Sequence, residues 1–302
     1  MKQTSADGLM FVITLVWGFT FIFTKIGISY TNESFFVLMR FGIALFLLLI
    51  VFNKRLFSMK KQTFKQGLIL GFFYAGGFIL QTYGLKLTTV PKSAFITGLA
   101  VPLVPFVYWF LVRKRVDIFS KIGVFVASIG LWFFTNPDIN NLNVGDILTL
   151  FSTVFWAFYI TYMDKYTKDQ TGTDFTAQLV FMQFLSLVVL SSISFLIIDL
   201  PNFHLDFHPN LIYALLYNGI IASFVLTFIH TAYQRFTTPI KAALIFSLEP
   251  VVASVASIFI FNLLFSFREI LGAIIMFGGV LTSEIGPFIF RNIITNTRSE
   301  NV

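Results

Sequence analysis

Long apolar runs, separated by short polar and basic segments, follow one another along the whole chain. A helix needs about 20 apolar residues to cross a hydrocarbon core of ~30 Å. The runs are continuous rather than alternating, which favours helices over the strands of a barrel. The pattern predicts an all-α membrane protein with ten transmembrane helices, near 8–29, 33–53, 64–85, 92–112, 118–136, 145–164, 173–197, 209–234, 238–261 and 267–290.

The basic residues between these spans predict the orientation of the chain. With a cytoplasmic N-terminus, 16 of the 21 Lys and Arg residues fall on the cytoplasmic side. Only Lys86, Lys92 and Arg268 fall in outer loops, and cytoplasmic loops are the ones enriched in Lys and Arg. We therefore predict a multi-pass protein of the cell inner (plasma) membrane whose two termini are cytoplasmic.

An internal repeat relates the two halves of the chain. Residues 81–99 and 230–248 match without a gap at an offset of 149, and the shared residues are Thr82/Thr231, Thr88/Thr237, Thr89/Thr238, Lys92/Lys241, Ala94/Ala243, Ile96/Ile245 and Leu99/Leu248. Each half holds five spans, and an odd number places the two copies upside down relative to each other. The sequence thus predicts two inverted five-helix repeats, 1–139 and 140–302.

Composition narrows the class of protein further. The chain is 57% hydrophobic and only 12% charged, which excludes an ordinary soluble enzyme. It has no cysteine, so disulfides and thiolate metal sites are excluded. The net charge of +7 comes from residues between the apolar runs, where lipid headgroups are the polyanion. We expect a bilayer environment and no nucleic-acid partner, metal or cofactor.

Ionisable residues inside the spans are the first candidates for function, because a charge at the bilayer centre costs at least about 2.5–3.5 kcal/mol. Glu249 lies near the middle of the ninth span, and Arg40 lies about two turns deep in the second. Pro250 removes a backbone donor and is expected to open the helix near Phe246. Glu249 is interpreted as a substrate partner or proton carrier. The alternative is a structural glutamate that bonds to a neighbouring helix.

Polar and aromatic residues at matched places in the two halves complete the candidate site. Trp17 and Thr20 share one helical face, as do Trp156 and Tyr159, which favours a cavity wall over an interfacial aromatic belt. Gln81 and His230 occupy the same position in the two repeats. A buried histidine is equally compatible with plain packing. The predicted substrate-binding set is Trp17, Thr20, Arg40, Tyr74, Gln81, Trp156, Tyr159, His230, Tyr233 and Glu249.

The sequence resembles the drug/metabolite transporter superfamily, specifically its ten-helix EamA-type permeases. The resemblance rests on residues spread over the whole chain, namely Trp17-Gly18 with Lys25, Arg40, Tyr83-Gly84-Leu85 through Thr88, Glu249-Pro250 and Gly272 with Gly279. Family members often carry an acidic residue just before the loops that precede the fifth and tenth spans, and this sequence has none at those places. The resemblance implies alternating access around a central cavity, lined mainly by spans 1, 3, 4, 6, 8 and 9.

These observations together predict a secondary transporter that moves a small metabolite, an amino acid or related amine in the first instance. A carboxylate and an arginine in an aromatic cavity suit a zwitterion, and they also suit other amines. The alternatives are a flippase of a lipid-linked metabolite on the same fold and, less favoured, an integral membrane enzyme, for which no catalytic motif is present. Proton coupling, the direction of transport and a monomeric or homodimeric state stay open.

Overall fold

The computed structural model describes residues 3–56, 58–113, 115–135, 143–170, 172–261 and 266–299. Within these ranges the chain consists of helices joined by short turns. It has one isolated β-bridge, between Thr31 and Leu205, and no strand in the described residues. The boundary predicted between the two repeats, at 139 and 140, lies outside the described residues.

The helices follow the predicted spans closely. They are α1 Gln3–Gly27, α2 Glu33–Leu56, α3 Lys61–Leu87, α4 Val90–Gly98, α5 Ala100–Val112, α6 Ile118–Thr135, α7 Val144–Thr167, α8 Thr173–Ser194, α9 Pro209–Leu216, α10 Leu226–Tyr233, α11 Pro239–Phe246, α12 Glu249–Phe261 and α13 Phe267–Ser299. A π-helical segment, Phe195–Asp199, extends α8, and another, Tyr217–Val225, joins α9 to α10.

Eight of the predicted spans are confirmed as helices long and apolar enough to cross a membrane, counted over the described residues. In four of them two or more helical pieces form one span, as when α4 continues into α5 and α11 into α12. The helix over Ile118–Phe134 is apolar but shorter. The last predicted span lies within α13, and the count of ten stays a prediction.

The repeated Thr-Thr segment begins an equivalent helix in each half. Thr89 caps α4 by accepting a hydrogen bond from the backbone N–H of Lys92, and Thr238 caps α11 by accepting one from that of Lys241. A proline follows each threonine in the first turn, where its missing N–H costs nothing. The same local sequence therefore produces the same helix start twice.

Both of these short helices also end at the same point of the repeat. The helix is interrupted at Leu99 between α4 and α5, and at residues 247–248 between α11 and α12. Pro102 and Pro250 follow the two breaks and lack the N–H that would bond to the fourth residue before each. The opening expected near Phe246 is confirmed, since α11 ends at that residue.

Glycines bring α6 and α13 together beside the core. A Cβ at Gly123 would lie 2.7 Å from the carbonyl oxygen of Gly279, and a Cβ at Gly130 would lie 2.7 Å from that of Gly272. The matched glycines of the two halves thus let two backbones touch. Elsewhere, large apolar side chains such as Phe106 and Phe259 are mostly exposed, as expected of a surface that faces lipid.

Candidate functional site

A central cavity lies between α1, α2, α3, α7, α10 and the two interrupted spans. Its volume is about 80 Å³, and the empty space out to its open mouth is about 740 Å³. Nine of the ten predicted site residues line it: Trp17, Thr20, Arg40, Tyr74, Gln81, Trp156, Tyr159, His230 and Glu249. The structure therefore brings residues from six separate predicted spans, and both halves, to one place.

Tyr233 is the predicted residue that the cavity lining leaves out. The chain turns into a 3-10 segment directly after it, and its ring packs near that of Phe236, with centroids 6.2 Å apart. On the same helix, His230 faces the cavity and Gln234 is buried one turn later. At 3.6 residues per turn, Tyr233 lies about 60° to one side of His230, and it stays outside the lining.

Glu249 stands at the break between α11 and α12, where the chain turns from one helix into the next. Gly18 allows α1 to approach this break, since a Cβ at that position would lie 2.6 Å from Val252 Cβ and 3.3 Å from the Glu249 carbonyl oxygen. Among the described residues no basic side chain pairs with the Glu249 carboxylate. A carboxylate open to the cavity is thus available to a ligand.

Arg40 contributes a cation to the same lining. It is buried with 3% of its surface exposed, in agreement with the inward orientation predicted from its depth. Its Nε donates to Ser223 Oγ at 2.7 Å, and its guanidinium lies 4.6 Å from the centroid of the Phe78 ring. No acidic side chain pairs with it in the part of the chain that the structure describes. Ser223 thus anchors the Nε edge of the guanidinium, and the terminal nitrogens are available to bind an anion.

The two tryptophans occupy equivalent places but have different hydrogen bonds. Trp17 Nε1 donates to the carbonyl oxygen of Ala222 at 3.0 Å, in the π-helical segment that joins α9 to α10. Trp156 Nε1 is buried and has no partner among the described residues. The Trp156 ring lies against α3 at Gly77, where a Cβ would be 2.9 Å from its Cε2 atom. The indole of Trp156, unlike that of Trp17, is left with a donor to offer.

Aromatic rings make up most of the apolar lining. The ring centroids of Trp17 and His230 are 5.4 Å apart with a T-shaped arrangement, and those of Tyr74 and Tyr159 are 4.7 Å apart and stacked. Phe78, which sequence reasoning missed, packs edge-on against Trp156 at 4.9 Å. Such contacts hold rings rigidly in place, because each is fixed by its neighbours.

Gln81 and His230, the matched polar pair, are bonded to different partners. Gln81 Nε2 donates to Thr97 Oγ1 at 2.8 Å. His230 Nε2 lies 2.8 Å from Gln234 Oε1, while its Nδ1 is buried and has no partner among the described residues. The histidine lines the cavity and also packs against its own helix, so the structure is compatible with both of its interpretations.

Most lining residues that sequence reasoning missed are repeat partners of one another. At the offset of 149 the lining includes both members of the pairs Gln81/His230, Ala94/Ala243, Thr97/Phe246, Gly98/Ser247, Ala100/Glu249 and Val101/Pro250. At an offset of 139 it includes both members of Trp17/Trp156, Thr20/Tyr159 and Phe21/Ile160. The repeat carried the signal for these pairs, since each member pointed to its counterpart in the other half.

Comparison with known proteins identifies the family. The profile of the EamA-like transporter family matches residues 4–136 and 143–283, which is most of the chain in two successive stretches. The chain belongs to the EamA-like transporter family. With its apolar helices, this makes it an integral multi-pass membrane protein of a transporter family. The resemblance noted in the sequence is thereby confirmed.

Individual relatives agree with this assignment. An uncharacterized transporter of Archaeoglobus fulgidus is 29% identical over 281 residues, covering 93% of this chain and 84% of that protein. The uncharacterized transporter YyaM of Bacillus subtilis is 24% identical, covering 94% of this chain and 95% of its own length. A crystal structure of a protein 15% identical in sequence has a TM-score of 0.72, covering 92% of this chain and 97% of that one, and shows the shared fold alone.

Proposed function

We propose that this EamA-family protein is a secondary transporter that moves an amino acid or a related amine across the cytoplasmic membrane by alternating access. The observation that carries the proposal is the cavity. It is lined by residues of both halves in matched positions, and its two charged groups, Glu249 and Arg40, have no ionic partner among the described residues.

The chemistry of these two groups favours a zwitterionic ligand. The planar guanidinium of Arg40 suits a carboxylate, which it binds through two parallel N–H···O bonds. The Glu249 carboxylate suits an ammonium group, and the carbonyl oxygen of Phe246, which Pro250 deprives of its helical donor, adds an acceptor nearby. The aromatic rings of the lining provide an apolar surface for the rest of the ligand.

Contacts between distant segments support the inverted arrangement of ten spans. Each contact joins segments that the predicted topology assigns to the same side of the membrane. On the outer side are Thr31 with Leu205, Ser34 with Asp199 and Lys92 with Asp146, and on the cytoplasmic side are Arg55 with Asp174 and Arg235 with Gln170. A different alternation would place the members of these pairs on opposite faces.

The interrupted spans support alternating access. Secondary transporters built from inverted repeats bind their substrates near the bilayer midplane, where discontinuous helices meet. Here the two breaks are repeat-equivalent, and both border the cavity through Gly98 and Ser247. One site between two related halves is then reachable from either side as the halves rock against each other.

Counterflow in proteoliposomes tests the proposed substrate class. Proteoliposomes that contain the purified protein and are loaded with one unlabelled amino acid should accumulate the labelled amino acid from outside. Amines and nucleobases are the comparison ligands. Uptake of lipid-linked substrates alone would favour the flippase alternative and reject amino-acid transport. Repeating the assay with and without an imposed pH gradient decides whether protons are coupled, and sizing the detergent-solubilised protein decides between monomer and homodimer.

Cysteine labelling tests the orientation. The natural chain has no cysteine, so each introduced thiol reports on one position. A cysteine in place of Phe207, which is 81% exposed between α8 and α9, should react with an impermeant thiol reagent added to intact cells. A cysteine in place of Ser58 should react only after the membrane is permeabilised. The reverse pattern would refute the orientation. Asn140, which lies outside the described residues, is expected to behave like Phe207.

Trp156→Ala tests whether the indole belongs to the binding wall. Losing a large aromatic contact and its unused N–H should lower the apparent affinity for substrate about tenfold, because ~1.4 kcal/mol corresponds to that factor. The measurement is the concentration dependence of uptake, normalised to the amount of protein in the membrane. Trp132→Ala, at a half-exposed position away from the cavity, is the matched control and should leave uptake unchanged. Normal affinity in both variants would return Trp156 to a packing role.

A further inference from the structure

The two ends of the helix bundle carry equivalent polar clusters that are bonded differently. One cluster lies where α3 ends and α7 begins. There Thr88 Oγ1 donates to Asp146 Oδ1 at 2.9 Å, and Lys92 Nζ donates to Asp146 Oδ2 at 2.7 Å. Asp146 is buried, and each of its two carboxylate oxygens accepts a hydrogen bond from the neighbouring segment. We call this group the outer cluster.

The backbone at the outer cluster is also closely packed. A Cβ at Gly84 would lie 2.7 Å from the Gly145 carbonyl oxygen, and a Cβ at Gly145 would lie 2.6 Å from that of Gly84. Lys25 Nζ donates to the carbonyl oxygens of Leu85 at 2.7 Å and Thr88 at 2.8 Å, which ties α1 to the end of α3. This end of the molecule is held shut by several contacts at once.

The repeat assigns a counterpart to each residue of the outer cluster. The offset of 139 relates α1 to α7 and pairs Asp7 with Asp146, as it also pairs the identical residues Thr14/Thr153, Trp17/Trp156 and Phe19/Phe158. The offset of 149 pairs Thr237 with Thr88 and Lys241 with Lys92. Asp7, Thr237 and Lys241 are therefore the counterparts of the outer cluster, with the same three side-chain types, and we call them the inner cluster.

The hydrogen bond that closes the outer cluster is not made in the inner cluster. Asp7 Oδ1 and Thr237 Oγ1 are both buried, and neither has a hydrogen-bond partner among the described residues. These are the counterparts of the two atoms that bond between Asp146 and Thr88. Buried polar atoms are almost always satisfied, so a pair left unsatisfied indicates a contact that belongs to another conformation.

We infer that Asp7 and Thr237 form the inner closing contact, made when the Asp146–Thr88 contact at the opposite end is broken. The structure is then the state closed at the outer cluster. This inference rests on the proposed alternating access and adds the residues that hold each end shut. Each contact is a discrete packed arrangement rather than a graded one, as expected of a two-state element.

The inner contact closes over different packing residues. The counterparts of Gly145 and Gly84 are Ala6 and Tyr233, so closure brings an aromatic ring, and not a bare backbone, towards α1. This places Tyr233, which is absent from the cavity lining, at the inner end of the pathway. Tyr233 does not allow the close backbone approach that Gly84 allows. Closure at the inner end therefore depends more on the Asp7–Thr237 hydrogen bond than closure at the outer end depends on the Asp146–Thr88 hydrogen bond.

Threonine-to-valine substitutions at the two ends test the inference with the same chemical change. Thr20→Cys serves as the reporter, since this residue lines the cavity and the natural chain has no cysteine. With an impermeant thiol reagent outside intact cells, Thr88→Val should raise the labelling rate about tenfold, and Thr237→Val should lower it by a similar factor, as expected for losing one hydrogen bond to a charged group. Changes in the same direction would reflect general destabilisation and overturn the inference.

Disulfide cross-linking gives a second readout that uses no substrate. Cysteines in place of Asp7 and Thr237 should form a disulfide under mild oxidation, and adding Thr88→Val should increase the yield. Arg55→Ala, which removes the exposed ion pair with Asp174, is the control and should leave the yield unchanged. A yield that does not respond to Thr88→Val rejects the coupling of the two ends. If cross-linking responds while no amino acid is transported, the closing contacts stand and the substrate class fails.

Discussion

Replacing Glu249 by glutamine is expected to reduce transport at low substrate concentration by about 10- to 100-fold, the range for losing a hydrogen bond to a charged group. The substitution keeps the shape of the side chain and removes its charge. Glu249 lines the cavity and has no ionic partner among the described residues, so the lost charge is one that a ligand would use. The measurement is initial uptake into proteoliposomes at several substrate concentrations.

Glu269→Gln is the matched control for this change. Glu269 caps the start of α13 by accepting hydrogen bonds from Ser266, away from the cavity, and its substitution should leave uptake unaltered. If the Glu249 carboxyl carries a proton, Glu249→Gln also removes the response of uptake to an imposed pH gradient. Uptake equal to that of the natural protein, with the same response to pH, would show that Glu249 is a structural residue.

The second large effect is expected at Arg40, where stability and transport should move in different directions. A buried guanidinium without an acidic partner is costly, and an apolar side chain of similar size relieves that cost. Arg40→Met should therefore keep or raise the melting temperature of the purified protein. The same variant should lower uptake about tenfold or more, because a carboxylate loses its charged partner.

Two further variants separate binding from packing at this position. Arg40→Lys keeps the charge but not the planar fork, so uptake should fall nearly as far as in Arg40→Met. Ser223→Ala removes only the anchor of Arg40 Nε and should have a smaller effect. A lower melting temperature in Arg40→Met, with uptake reduced only in proportion to the folded fraction, would instead assign Arg40 to the structure.

Much of the fold followed from local sequence, because local rules govern helices in a bilayer. The apolar runs gave helices at the predicted places, and the Thr-Thr segments gave capped starts for α4 and α11. The span that contains Pro250 is interrupted after Phe246, whose carbonyl oxygen would accept the N–H that the proline lacks. Each of these outcomes depends on residues within one or two turns, so the sequence alone was sufficient.

The candidate site was predictable in part, since a charged side chain within a span is excluded from the surface that faces lipid, and residues matched in the two repeats occupy equivalent positions. Nine of the ten predicted residues line the cavity because polar groups avoid lipid and because the repeat brings equivalent faces together. Tyr233 lies outside the lining, since the sequence alone does not fix which side of α10 faces the cavity, and its role in substrate binding stays a prediction. Phe78 was missed, since one of 41 phenylalanines carries no distinguishing mark in the sequence.

The sequence by itself determined the helices, the repeat, the break at Pro250 and the residue types at each end of the bundle. Only the tertiary structure decided which of these groups are satisfied. Among the described residues, the Trp17 indole N–H has a hydrogen-bond partner and that of Trp156 has none. Thr88 likewise bonds to Asp146, while Thr237 Oγ1 and Asp7 Oδ1 have no partner there. The repeat makes these pairs equivalent in sequence, but a hydrogen bond forms over about 3 Å between separate helices. Helix packing sets that distance, and here it differs between the two halves.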